Sequence, residues 1–153
     1  MSENNAEVHK PDTSKMEYRY LGNSGLKVSV VGFGNWVNNL DDEKNKECFK
    51  KALEKGINFF DTAEGYGFGA GESTFGKAIK ELNIPREKIV VSTKLFKIGN
   101  DPNDGFLSRK HICEGIKNSL KRLQLEYVDV VFCHRYDNMT PLEETCKAMN
   151  WVI

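Results

Sequence analysis

The chain has 153 residues, enough for about one domain, and its 22 basic and 22 acidic side chains give a formal net charge of zero. This balance argues against a protein that binds nucleic acid mainly through a basic surface. No run of about 18 uncharged apolar residues occurs, so the sequence predicts no membrane insertion. The four cysteines form no C-x-x-C pair, which disfavours a zinc or thioredoxin-type site and indicates free thiols in a reducing cytoplasm.

The first fifteen residues are polar and contain no apolar segment, so they predict a disordered tail without a secretory signal. Two short extended segments follow between Glu17 and Ser29, joined by a Gly-rich turn, and indicate a β-hairpin. We therefore divide the chain into a tail, residues 1–15, and one folded region, residues 16–153.

After the hairpin, short apolar runs alternate with helical patterns. These runs are nearly continuous, which is typical of parallel strands buried on both faces. The predicted strands are Val28–Phe33, Ile57–Phe60, Ile89–Thr93 and Val128–Cys133.

Each predicted strand is followed by a helical segment. Asp41 begins the first helix and Gly56 ends it. Apolar residues three or four positions apart mark the second helix, around Phe75, and the third, which begins at Ser108. The fourth is predicted to begin at Thr140, where Thr-Pro-Leu-Glu matches a capping box.

Repeated strand–helix units predict a parallel α/β sheet covered by helices, either doubly wound or a (β/α)₈ barrel. A doubly wound dinucleotide fold would carry G-x-G-x-x-G after its first strand. Here the segment Gly32-Phe-Gly-Asn-Trp-Val37 lacks the third glycine. Since a barrel has eight units and about 250 residues, we expect a TIM barrel of which the chain holds the N-terminal hairpin and the first four βα units.

Ionisable side chains directly follow three successive predicted strands. They are Asp61, Lys94 and His134, and Tyr66 lies five residues after Asp61 in a Gly-rich loop. Each has an ordinary explanation when taken alone: a turn cap, a solvated lysine, a structural histidine and a loop aromatic. Because strand ends form one rim in a barrel, their joint placement favours a catalytic site.

These four groups suit acid catalysis on a carbonyl compound. A free phenol has a pKa of about 10, too high for efficient proton donation at neutral pH. A nearby ammonium lowers such a pKa, a carboxylate keeps the ammonium in place, and an imidazole can hydrogen-bond a substrate oxygen. Since no side chain can donate hydride, a nicotinamide cofactor must supply it.

The segment Gly56-Ile-Asn-Phe-Phe-Asp-Thr-Ala-Glu-Gly-Tyr66, with Gly71-Glu72, resembles the first signature of the aldo-keto reductases. Val91-Ser-Thr-Lys94 and Cys133-His134 resemble later elements of that family. Residues 107–112, 120–131 and 140–145 are similar to the branch containing the β-subunits of voltage-gated potassium channels and their plant and protist relatives. The resemblance runs from about residue 18 to the last residue.

The resemblance implies a barrel closed at its bottom by the hairpin, an aldehyde or ketone substrate, and NADPH as cofactor. The implied catalytic residues are Asp61, Tyr66, Lys94 and His134. The implied cofactor-binding residues are Asn35, Trp36, Asp61 and His134. Packing at the barrel mouth is an alternative role for Trp36, and no metal site is expected.

Animal channel β-subunits usually carry Asn at the position of His134, so this histidine favours a reductase. The alternative is a non-catalytic regulatory β-subunit of a potassium channel, and the same resemblance hints at a homo-oligomer. In this family later loops hold the phosphate and adenosine of the cofactor. We therefore expect the 153-residue chain alone to bind NADPH weakly and to turn over little.

Two further residues and one charged cluster are interpreted as structural. We place His111 on a solvated helix face, and we place Cys133 in the core, since strand alternation turns it away from His134. The charged cluster 117–122 is interpreted as the exposed side of the third helix.

Overall fold

The computed structural model describes residue 13, residues 15–36 and residues 41–153. The strands are β1 (Tyr18–Tyr20), β2 (Lys27–Ser29), β3 (Phe33–Gly34), β4 (Phe59–Asp61), β5 (Val90–Leu95) and β6 (Val130–Cys133). The helices are α1 (Asp42–Glu54), α2 (Ala70–Glu81), α3 (Arg109–Leu123) and α4 (Leu142–Trp151), with a short 3₁₀ turn at Arg86–Lys88. The predicted tail, residues 1–15, lies outside the described residues except at positions 13 and 15, and remains a prediction.

Strands β3, β4, β5 and β6 lie side by side in chain order, and every pair is parallel. A doubly wound sheet reverses its strand order at a switch point, and these four strands show no reversal. Right-handed crossovers that always step in one direction place their helices on the same face of the sheet. The topology is that of successive βα units in a barrel, preceded by the antiparallel hairpin β1–β2.

The prediction of a single strand over Val28–Phe33 is wrong, because the segment belongs to two different strands. Its beginning belongs to β2, which pairs with β1, whereas the parallel sheet begins only at Phe33. Between them Val30 and Val31 are 46% and 52% exposed. The hydroxyl of Ser29 donates to the carbonyl oxygen of Val31 (2.7 Å) and stabilises a bend that separates hairpin from sheet.

Helices α1 and α3 begin at the predicted caps. The Asp41 carboxylate accepts the N–H of Lys44 (2.8 Å), and the Ser108 hydroxyl accepts the N–H of His111 (3.2 Å). The chain leaves α1 through Gly56, whose φ of +82° is a left-handed conformation that glycine adopts readily.

The capping box predicted at Thr140 is wrong. Helix α4 begins at Leu142 with Pro141 at the N-cap and has no side-chain cap. The Thr140 hydroxyl instead hydrogen-bonds Asp137, whose carboxylate also accepts the N–H of Leu107 (2.8 Å). The threonine therefore helps to hold the β6–α4 loop against the beginning of α3.

The hydrophobic core lies between the sheet and the helices. Four phenylalanines fill the part under α1 and α2, where the rings of Phe49 and Phe60 stack with centroids 4.2 Å apart. A second cluster under α3 and α4 contains Leu95, Ile112 and Ala148. Packing on one face of the sheet leaves the other face for polar side chains.

No helix in the described part of the chain is long and apolar enough to span a bilayer. All four cysteines are free. The placement of Cys133 in the core is wrong, because this residue is exposed. It lies at the end of β6, an edge strand of the described sheet, so one of its sides has no neighbouring strand there.

Candidate active site

Three of the four predicted catalytic groups meet in one hydrogen-bonded cluster. Lys94 Nζ donates to Asp61 Oδ2 (2.5 Å), to the carbonyl oxygen of Thr62 (2.8 Å) and to the phenol oxygen of Tyr66 (3.0 Å). An ammonium group has three N–H donors, so every donor of Lys94 has an acceptor in this cluster. The cluster holds the lysine as a cation in contact with the tyrosine.

Strands β4 and β5 set this geometry through their alternating faces. Phe60 and Leu95 are fully buried toward the helices, so their neighbours Asp61 and Lys94 lie on the opposite face. Ser92, in register with Asp61, lies on that face as well and donates its hydroxyl to Asp61 Oδ1 (2.6 Å). Each oxygen of the Asp61 carboxylate therefore accepts a hydrogen bond, and these two bonds hold the carboxylate next to the Lys94 ammonium.

Tyr66 lies in the β4–α2 loop between two rings. It stacks on the indole of Trp36, with centroids 5.8 Å apart and planes 4° apart. The imidazole of His134 meets it edge-on at 5.6 Å and 79°. Because the phenol oxygen accepts a hydrogen bond from Lys94, its own proton can be donated elsewhere.

His134 directly follows β6 and completes the predicted set. Burial lowers its pKa, and so do the positive charges of Lys94 and Arg135, while Asp61 and Glu64 act in the opposite direction. The net shift is below the ordinary histidine value, so the ring is neutral near pH 7. A neutral imidazole offers one N–H donor and one acceptor.

The two remaining cofactor-binding predictions lie at the same strand ends. Asn35 is buried, and its Nδ2 donates to the carbonyl oxygen of Gly71 (2.6 Å). Its Oδ1 is buried and has no hydrogen-bond partner among the described residues. Trp36 is 73% exposed and covers one face of Tyr66. The structure thus brings all predicted site residues together, and their roles remain predictions.

The placement of His111 on a solvated face is wrong, because this residue is 4% exposed. Its ring contacts Glu64, a fully buried residue of the β4–α2 loop, at 2.8 Å. Periodicity could have indicated this burial. His111, Gly115 and Ser119 are four positions apart and form a second buried stripe beside the apolar face of α3.

The interpretation of cluster 117–122 as an exposed side is wrong for Arg122. Its Nε donates to Glu72 Oε2 (2.7 Å), and Glu72 is fully buried in the first turn of α2. Glu72 Oε1 accepts the hydroxyl proton of Thr93 (2.5 Å). These three residues connect α3, α2 and β5 under the helix side of the site.

Chemically, the cluster presents a phenolic O–H next to a fixed cation and a neutral imidazole. Such a set can protonate an oxygen atom that gains negative charge during a reaction. No group of three or more His, Cys, Asp or Glu side chains in the described ranges could hold a metal ion.

Three comparisons with known proteins agree. Residues 30–152 match the family model described as "Aldo/keto reductase family". Proteins from Oryza sativa subsp. japonica and Arabidopsis thaliana, both called "Probable voltage-gated potassium channel subunit beta", are 52% and 54% identical over 141 residues, or 90% of this chain. A solved aldo-keto reductase from Bacillus halodurans, in its holo form, superposes with a TM-score of 0.80 and 35% identity over 90% of this chain.

The chain spans 43% of the length of each plant relative and 46% of the bacterial structure. Together with the strand order, these matches confirm the predicted fold, the hairpin and first four units of a (β/α)₈ barrel. They also confirm the family resemblance found in the sequence.

Proposed function

Because this chain belongs to the aldo-keto reductase family, we propose that it carries the catalytic groups of an NADPH-dependent carbonyl reductase. The observation that carries the proposal is the 3.0 Å contact between the Tyr66 phenol and the Lys94 ammonium. Asp61 balances the ammonium charge. The reaction converts an aldehyde or ketone into an alcohol.

The residues at the strand ends fit the nicotinamide end of the cofactor. Asn35 Oδ1 is a buried acceptor without a partner in the described part of the chain, which suits the amide N–H of a nicotinamide. Trp36 offers an exposed ring beside Tyr66, and Asp61 and His134 lie on the other sides of the same cluster. When bound, NADPH supplies the hydride that reduces the carbonyl carbon.

Tyr66 donates its phenol proton to the carbonyl oxygen as negative charge develops there. Lys94 stabilises the phenolate that remains, because it already donates a hydrogen bond to that oxygen. Asp61 and Ser92 keep the ammonium in place. His134, neutral near pH 7, donates its ring N–H to the carbonyl oxygen and orients it.

The first test is a fluorescence titration of NADPH against the 153-residue chain. Weak binding is expected, because the chain spans less than half of its relatives and the loops expected to hold the adenosine end follow later strands. Micromolar binding with steady turnover would contradict this expectation.

The second test measures single-turnover reduction of para-nitrobenzaldehyde at saturating NADPH by a full-length version, in which the later strands of the barrel follow this sequence. Tyr66→Phe should slow reduction at least about 100-fold, since it removes the general acid, and leave NADPH affinity nearly unchanged. Tyr20→Phe is the matched control, because Tyr20 is an exposed tyrosine of the hairpin. Equal rates for the native full-length version and its Tyr66→Phe variant would refute the assigned acid.

A second candidate follows from the names of the plant relatives, which call them subunits of a potassium channel. In that case the barrel is a non-catalytic regulatory β-subunit that associates with a voltage-gated potassium channel. Co-purification with a potassium channel, undiminished in Tyr66→Phe and without carbonyl reduction by the full-length version, would favour this candidate. Reduction without any channel binding would favour the reductase.

A further inference from the structure

A buried ion pair links α3 to the loop that carries Tyr66. Glu64 lies two residues before Tyr66 and is fully buried, and His111 lies in the first turn of α3. Nε2 of the imidazole is 2.8 Å from Glu64 Oε1. The proposed reaction steps use neither residue.

The surroundings of His111 favour the charged form of its ring. Nδ1 lies 3.2 Å from the carbonyl oxygen of Asn103, and Nε2 faces the Glu64 carboxylate. Both partners are acceptors, whereas a neutral imidazole has a single N–H. Burial by itself lowers the pKa of His111, but the hydrogen bond and charge of Glu64, the Asn103 carbonyl and the charge of Asp104 together raise it above its ordinary value.

On its own helix, His111 has the cations Arg109 and Lys110 as neighbours. Lys110 forms an ion pair with Glu114 one turn later, at 2.6 Å, on the exposed side of α3. The charged groups that act on the ring from packed elements are Glu64, from the β4–α2 loop, and Asp104, from the β5–α3 loop. The imidazolium therefore compensates mainly the Glu64 carboxylate.

Glu64 connects the tyrosine loop to the strand that carries the lysine. Its backbone N–H donates to the carbonyl oxygen of Lys94 (3.1 Å), and its Oε1 accepts the N–H of Phe96 (2.6 Å). Helix α3 leaves room for the carboxylate at Gly115, where an added Cβ would lie 3.1 Å from Glu64 Oε2. The carboxylate thus sets the spacing between the β4–α2 loop and the end of β5.

We propose that His111 is a positioning residue, whose charged ring neutralises Glu64 and thereby keeps Tyr66 in contact with Lys94. The proposal rests on the proposed function for its purpose, since that contact prepares the proton donor. Loss of the His111 proton leaves a buried carboxylate without its compensating cation, which is strongly unfavourable. The β4–α2 loop then shifts, and the Tyr66–Lys94 contact weakens.

The test on the native chain is an NMR titration that follows the His111 imidazole and the Tyr66 ring together. The His111 midpoint should lie above the ordinary histidine value, and the Tyr66 ring signals should change with the same midpoint. A Tyr66 ring that does not respond while His111 loses its proton would overturn the proposal.

Two variants test the same link between His111 and Tyr66. Glu64→Gln should lower the pKa of His111 and make the Tyr66 ring signals independent of the His111 titration, because no buried carboxylate then needs a compensating cation. Glu114→Gln is the matched control on α3 and should change neither, because Glu114 is exposed and pairs with Lys110. Tyr66 ring signals that still follow the His111 titration in Glu64→Gln would contradict the proposal.

His111→Gln serves where Glu64→Gln does not fold, because it keeps a donor toward Glu64 without the charge. Loss of the nuclear Overhauser contacts between the Lys94 side chain and the Tyr66 ring in this variant supports the proposal. Retention of these contacts refutes it. Neither NADPH nor a carbonyl compound is needed for these measurements. Coupled Tyr66 signals without carbonyl reduction by the full-length version would refute the proposed function alone, whereas its reduction without coupling would refute this inference alone.

Discussion

The substitution Arg122→Met tests the buried pair that joins α2, α3 and β5. It removes the cation from Glu72, which is fully buried, while Thr93 still donates to the carboxylate. Breaking a buried pair by removing one partner typically costs about 3–5 kcal/mol, because an uncompensated charge is left inside. Met keeps most of the apolar stem, which packs against Gly69, so the charge is the main loss.

The assay is urea unfolding of the native chain and the variant at pH 7. With a slope of about 2 kcal/mol per molar urea, the expected loss lowers the midpoint by about 2 M. Lys121→Met is the control, because it removes a neighbouring exposed cation and should change stability by less than about 0.5 kcal/mol.

The pair also predicts non-additivity. In the Arg122→Met background, Glu72→Gln removes the stranded charge and should recover about half or more of the lost stability. Two results would refute the reasoning that Glu72 is buried as a charge compensated by Arg122. One is a loss of stability below about 1 kcal/mol in Arg122→Met, and the other is a double variant less stable than Arg122→Met.

Phe49→Ala should lower the free energy of unfolding by about 3–5 kcal/mol in the same assay, since Phe49 is buried and stacked on Phe60. A loss under about 1 kcal/mol would contradict the packing of Phe49 in the hydrophobic core. His134 has a lowered pKa when folded, so its protonation favours the unfolded chain, and its stabilising effect is lost as pH falls below the ordinary value of about 6.5. Lys94→Met removes a nearby cation and should raise the pKa of His134 in an NMR titration, and an unchanged or lower midpoint would argue against their proximity. Gly76→Ala should destabilise the chain by about 1–3 kcal/mol or more, because an added Cβ would overlap the backbone of α3. Gly25→Ala is the control, since an added Cβ there has nothing within 4 Å. Equal losses of stability in the two variants would argue against the close packing of α2 on α3.

The sequence alone was sufficient for the plan of the sheet and for the composition of the site. Apolar runs that end at Asp61, Lys94 and His134 already predict parallel strands with ionisable groups at one end, because parallel strands end at a common edge. The caps at Asp41 and Ser108 were predictable for a similar reason, since capping depends on a few residues close in sequence.

The sequence pattern failed where a residue's partner lies far away in the chain. His111 and Arg122 resemble solvated charges within α3, yet each meets a buried glutamate from the region around α2, 47 and 50 positions away. The hydroxyl of Thr140 could have capped α4 but bonds Asp137 instead. Val28–Phe33 reads as one strand, but its two ends pair with different strands.

Periodicity within one segment shows which side chains can share a face. This information was enough to predict the strands, the helices and the ionisable residues at the strand ends. Periodicity carries no information about what packs against that face, because burial and charge compensation depend on elements that only folding brings together. The three donors of Lys94, the position of Tyr66 between Trp36 and His134, and the burial of Glu64 with His111 were therefore decided by the tertiary structure.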